Sequence, residues 1–304
     1  MFYLEIKKER MNHKFKGNLS VDSVSQLTQI FDSKNWPTIE REAGNIFPFF
    51  EKFCQLLSIL SKNEQNLILT LTKDFLRCPF SDYFELLKNS LLKINQTSIN
   101  NSEEIFVLPL VSPEDEQRDE SKSGHFLIYP AVKIVIPYLP SFNGKNIISL
   151  MHLSFLNNNY PNRNNALILF LDDFIGTGET AIKTLTNFKE SYSIQSDSFV
   201  IVALVAQERG VAKISEHSYL VVAANIRKRG ISDSESITDK RSAFLFMDQV
   251  EARLQMRDDF LRGYRKSEAL VKMMRTPNNT FPVYWCPKSS NNKPWPAPFP
   301  RTRT

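Results

Sequence analysis

The segment Leu167–Thr180, LILFLDDFIGTGET, constrains the fold more than any other part of the chain. Its unbroken apolar run predicts a strand buried on both faces, Gly176 and Gly178 predict a tight loop, and Ala181, Ile182, Leu185 and Phe188 mark the apolar face of a following helix. A strand buried on both sides needs a covering layer on each, and a strand that passes straight into a helix belongs to a parallel sheet. The fold class is therefore α/β, a parallel sheet flanked by helices.

The chain around this segment fits that layout. Further strands are expected at Ile105–Val111, Val132–Tyr138, Ala166–Leu171, Phe199–Ala206 and Tyr219–Ala224, with helices at Ile147–Leu156, Thr180–Phe188, Gly210–Glu216 and Ala243–Leu261. Between Phe49 and Ile94 the apolar residues recur at helical spacing, broken at Ser61-Lys62-Asn63 and Pro79-Phe80-Ser81, which predicts three helices, the third capped by Ser81. The polar stretch Asn95–Glu104 reads as a linker. The expected organisation is a helical N-terminal extension over residues 1–100, an α/β domain over 101–285, and a Pro- and Asn-rich extended tail over 286–304. The charged run Ser112–His125 is longer than a βα connection needs and reads as a mobile catalytic loop or a solvated insertion.

In an open α/β sheet ligands bind beyond the carboxyl ends of the strands, and a helix N-terminus offers N–H groups to an anion. Gly176, Thr177, Gly178, Glu179 and Thr180 occupy that position. Asp172 and Asp173, just before them, are badly placed for phosphate but well placed to accept hydrogen bonds from sugar hydroxyls. Ile168–Thr180 resembles the 5-phosphoribosyl-1-pyrophosphate (PRPP) signature of type I phosphoribosyltransferases: four apolar residues, an acidic pair, three variable positions, then Thr-Gly-x-Thr. The resemblance implies a type I phosphoribosyltransferase-like fold, with Asp172 and Asp173 on the ribose hydroxyls as catalytic and binding residues and Gly176–Thr180 on the 5′-phosphate. It also implies Mg²⁺ as cofactor and a pyrophosphate loop after the first core strand, for which Lys122 is the candidate, with Ser123, Gly124 and Arg118 beside it.

More loosely, the helical run 61–94 and the segment GYRKSEALVKMMRTPNNTFPVYW are similar to a bacterial subfamily with an N-terminal helical extension found in antiphage, retron-type loci. That similarity implies a toxic effector restrained by a protein or ribonucleoprotein partner, such as a reverse transcriptase with its RNA and DNA. The expected substrate is PRPP or a nucleotide; the alternative is a non-catalytic ribose-phosphate sensor or a nucleic-acid- or partner-binding module.

Composition narrows the rest. A net charge of +5 and a pI near 9.0 suit anionic partners, phosphate and nucleic acid alike. Cys54, Cys78 and Cys286 are too scattered for a zinc site or disulfide framework, and His13, His125, His152 and His217 have no metal-ligand spacing. Charges interrupt the N-terminus too early for a signal peptide, and Phe199–Ala206 is too short to span a bilayer, so a soluble cytoplasmic protein with no membrane partner is expected. Arg227-Lys228-Arg229-Gly230 suits pyrophosphate, a nucleic-acid backbone or a solvated turn, and Thr276–Thr280 suits amide recognition or ordinary turn chemistry.

Overall fold

A computed structural model describes residues 19–42, 45–118, 121–155, 165–192 and 199–301. The chain divides into two compact units: one continuous, Cys78–Lys228, and one discontinuous, in which Met1–Arg77 joins Arg229–Thr304.

The continuous unit carries the sheet. In chain order its main elements are α1 (Tyr83–Leu91), β1 (Glu104–Pro109), α2 (Pro113–Gln117), α3 (Ser123–Tyr129), β2 (Asn146–Ser149), β3 (Ala166–Ile175), α4 (Glu179–Tyr192), β4 (Phe199–Gln207), α5 (Glu208–Glu216) and β5 (Leu220–Arg227). The strands lie in the order β2-β1-β3-β4-β5, every neighbouring pair parallel, with Leu171 opposite Pro109 and Asp172 opposite Ala203. Strand β4 is buried at every position, as its unbroken apolar sequence requires. The apolar face of α4, through Ala181, Leu185 and Phe188, packs with Phe170 and Phe199 in one core layer.

Two expected elements differ in type. Val132–Tyr138 is not a strand: residues 130–135 form a π-helical turn that follows α3, and Ile136–Tyr138 is a 3₁₀ turn. The run is rich in β-branched residues, but Ala131, Val132, Val135, Ile136 and Leu139 point inward while Lys133, Ile134 and Tyr138 are exposed, a helical spacing. Ile147–Leu156 is not a helix: its start is the edge strand β2, paired with β1, and Leu153–Phe155 is a 3₁₀ turn, with Leu156 outside the described residues. Strand β2 is short and half-exposed, so it lacks the long apolar run of its neighbours.

The boundary near residue 100 also falls elsewhere. Helix α1, expected in the N-terminal extension, belongs to the sheet unit: Ser90 Oγ donates to the Ala203 carbonyl at 2.6 Å and Lys93 Nζ to the Ala223 carbonyl at 2.6 Å. Helical periodicity says that a helix has a buried face, not which core receives it.

The discontinuous unit is built on helices Val21–Ser33, Phe49–Ser58, Lys62–Lys73 and Lys240–Glu251. The last is shorter than the expected Ala243–Leu261 and ends well before the 3₁₀ turn Asp258–Phe260. Ser61 precedes the third of these helices, and its N–H donates to Glu64 at 2.7 Å, the reciprocal half of a capping box. The core is aromatic: Phe31, Phe49, Phe53, Phe75, Tyr284 and Phe299 are buried together, and Phe75 stacks on Phe299 at 4.7 Å. The tail expected to be a separate extension thus contributes Trp295, Ala297 and Phe299 to this core. No helix among the described residues is long and apolar enough to cross a membrane.

Candidate functional site

Strand β3 delivers Asp172 and Asp173 to its carboxyl end, where the chain bends through Gly176–Gly178 into α4. The bend needs glycine: Gly178 has φ +78°, and a Cβ there would stand 2.8 Å from the Gly210 carbonyl oxygen of α5. Thr177 is buried, Glu179 begins α4 and pairs with Lys213 at 3.5 Å, and Thr180 is exposed on the first turn. The Ile182 N–H closes that turn on the Gly178 carbonyl at 3.0 Å, and the first N–H groups of any α-helix have no intrahelical acceptor. The loop can therefore cradle an anion.

The two carboxylates keep a partly exposed edge, yet both are held well above the ordinary carboxylate range. Burial among protein atoms is the main cause for each, and for Asp172 the neighbouring Asp173 charge comes second. Hydrogen bonds partly offset this. Ser123 Oγ donates to Asp172 Oδ1 at 2.6 Å, the Asp173 N–H donates to the same oxygen at 2.8 Å, and Tyr83 Oη donates to Asp173 Oδ2 at 3.1 Å.

Ser123 opens α3, and Gly124 explains how that helix reaches the pair: a Cβ at Gly124 would collide with the Leu171 carbonyl, so only glycine allows the approach to β3. Lys122, nominated for pyrophosphate, lies beside this contact with Nζ 3.2 Å from Asp115. Among the described residues of the acidic run, Ser112 caps α2, Glu114 pairs with Lys183, and Glu116 lies 3.7 Å from His152. Asp119 and Glu120 lie outside the described residues. Arg229 is held by both oxygens of Asp233, at 2.7 and 2.9 Å. Asn278 and Asn279 serve the turn through their backbone carbonyls, which accept from Tyr264 N–H and Ala269 N–H.

Tyr83 is not legible in the sequence, because a tyrosine on an amphipathic helix ahead of the sheet carries no local sign of what its hydroxyl touches. Ser123 stands out in the sequence only as part of its loop, and the fold alone brings it to the Asp172 carboxylate.

Among the described residues no three of His, Cys, Asp and Glu cluster as a metal site. Mg²⁺ typically takes one or two protein carboxylates and completes its shell with water and substrate phosphate oxygens, and the Asp172–Asp173 pair fits that donor set.

The model of the phosphoribosyltransferase-like family described as PRTase-CE matches residues 52–301. The chain belongs to the PRTase-CE family. The match spans the sheet with its Asp172–Thr180 loop and most of the discontinuous unit, so the PRTase-CE family includes both units. Among curated proteins none matches this PRTase-CE chain.

Proposed function

We propose that this PRTase-CE protein binds the 5-phosphoribosyl group of PRPP or of a nucleotide and acts at its anomeric carbon. The observation that carries the reading is the carboxylate pair at the end of β3 followed directly by a glycine-containing turn at a helix N-terminus. Thr177–Thr180 would hold the 5′-phosphate, and Asp172 and Asp173 would accept hydrogen bonds from the 2′ and 3′ hydroxyls. Tyr83 and Ser123 orient those carboxylates.

At the anomeric carbon the bond to the leaving group breaks as the bond to an incoming nucleophile forms, through an oxocarbenium-like centre. Fixing both hydroxyls and the phosphate holds the ribose while that charge develops. Mg²⁺, when bound with pyrophosphate, neutralises charge on the leaving group. Transfer predicts PRPP-dependent pyrophosphate release by the wild-type protein that needs Mg²⁺ and falls at least a hundredfold in Asp172→Asn with Asp173→Asn. Full release by the double variant would remove the assignment.

The pairing of Lys122 with Asp115 favours a second reading, a ribose-phosphate sensor that binds without turnover. That protein would bind PRPP and release no pyrophosphate. An effector role in a bacterial conflict system, under restraint by a protein or ribonucleoprotein partner, rests on the sequence resemblance. It predicts that expression of the wild type alone slows growth while the double Asp variant does not.

A further inference from the structure

We infer that Phe80 and Phe126 form a stacking platform for a nucleobase carried on the anomeric carbon of the ribose held at Asp172 and Asp173. The inference rests on the phosphoribosyl reading of that pair and names the ligand class: a nucleoside 5′-monophosphate, whose aromatic ring PRPP lacks. Two segments carry it. Helix α3 brings Ser123 to Asp172 at 2.6 Å, and Phe126 follows three residues on, over the same face of that helix. The 3₁₀ turn Phe80–Asp82 runs directly into α1, whose first residue, Tyr83, donates to Asp173 at 3.1 Å. Each carboxylate is thus held by a segment that also carries a phenylalanine.

The rings meet. The centre of the Phe126 ring lies 5.7 Å from that of Phe80 and 6.2 Å from that of Tyr83, both edge-on, and Phe80 lies 6.3 Å from Tyr83. These are the separations of favourable aromatic pairs. Tyr83 is buried and its ring is closed to a ligand, whereas Phe80 is 45% and Phe126 41% exposed. Phe106, Phe170, Phe188 and Phe199 of the same unit are sealed in its core. Two exposed rings side by side leave apolar surface in water, and a flat ring laid against them removes it. A base suits the place, since it is joined to the carbon next to C2′, whose hydroxyl the pair would hold, and so has to lie close beside the carboxylates. Stacking tolerates any base, because every base has a π-face.

The test compares ligands that differ only in the base. Calorimetric titration of the full-length protein with ribose 5-phosphate and with the 5′-monophosphates of adenosine, guanosine, cytidine and uridine should show at least one nucleotide binding roughly fivefold or more tighter than the bare sugar phosphate. Phe80→Ala with Phe126→Ala should bring the ratio of those two affinities close to one, and Phe126→Tyr, which keeps a ring, should preserve it. Both phenylalanines are exposed, so the variants should melt close to the wild type. Binding of ribose 5-phosphate with no gain from any base would overturn the platform and leave the phosphoribosyl reading standing, whereas no binding of any of the five would remove both. A fall in both affinities by the same factor in the double Ala variant, the mark of a merely structural role, would also overturn it.

Discussion

Burial makes the charged forms of Asp172 and Asp173 costly to the fold. Below the ordinary carboxylate range the folded and unfolded chains hold these protons equally. As pH rises the unfolded chain releases them first, so the pair destabilises the fold increasingly from that range upward, and the loss levels off once the raised folded values are passed. Asp172→Asn should therefore stabilise the ligand-free protein at neutral pH, by about 1 kcal/mol or a few degrees in melting temperature, while it weakens ribose-phosphate binding. Thermal melts of both proteins from pH 4 to 8 check this: the gap should widen with pH, and a constant gap would contradict the assignment. Sugar hydroxyls and a cation favour the charged forms, so binding should release protons, measurable as a calorimetric heat that varies with buffer ionisation enthalpy. The acidic pair and the glycines were legible in the sequence because they are contiguous. Tyr83, 90 residues before Asp173, was not, since only the fold brings its hydroxyl there.

At the scale of elements, the site depends on two close approaches of backbone. Gly178 combines a left-handed φ with contact to α5, so Gly178→Ala should cost roughly 1–3 kcal/mol, seen as a lower urea midpoint. Gly124→Ala should push α3 from β3 and loosen the Ser123–Asp172 bond, lowering ligand affinity more than overall stability. Strands β3 and β4 could be read because double burial leaves long apolar runs. The edge strand β2 and the helical turn at residues 130–135 were misread because a short apolar run has no period of its own: its partner decides its conformation.

Across the whole molecule the chain closes one unit from its two ends. Phe299 lies in the core with Phe49 and Phe75, so Phe299→Ala should destabilise the protein by about 3–5 kcal/mol, measurable by chemical denaturation. Low sequence periodicity hid this, since the segment from residue 288 to residue 301 contributes Trp295, Ala297 and Phe299 without regular secondary structure. The central claim is that the continuous unit recognises a 5-phosphoribosyl group through the pair at the end of β3. Its most direct test is calorimetric titration of PRPP with Mg²⁺ into the wild type and into Asp172→Asn with Asp173→Asn. The wild type should bind PRPP with Mg²⁺ and the folded double variant at least tenfold more weakly; no binding by the wild type, or equal binding by both, would contradict the assignment.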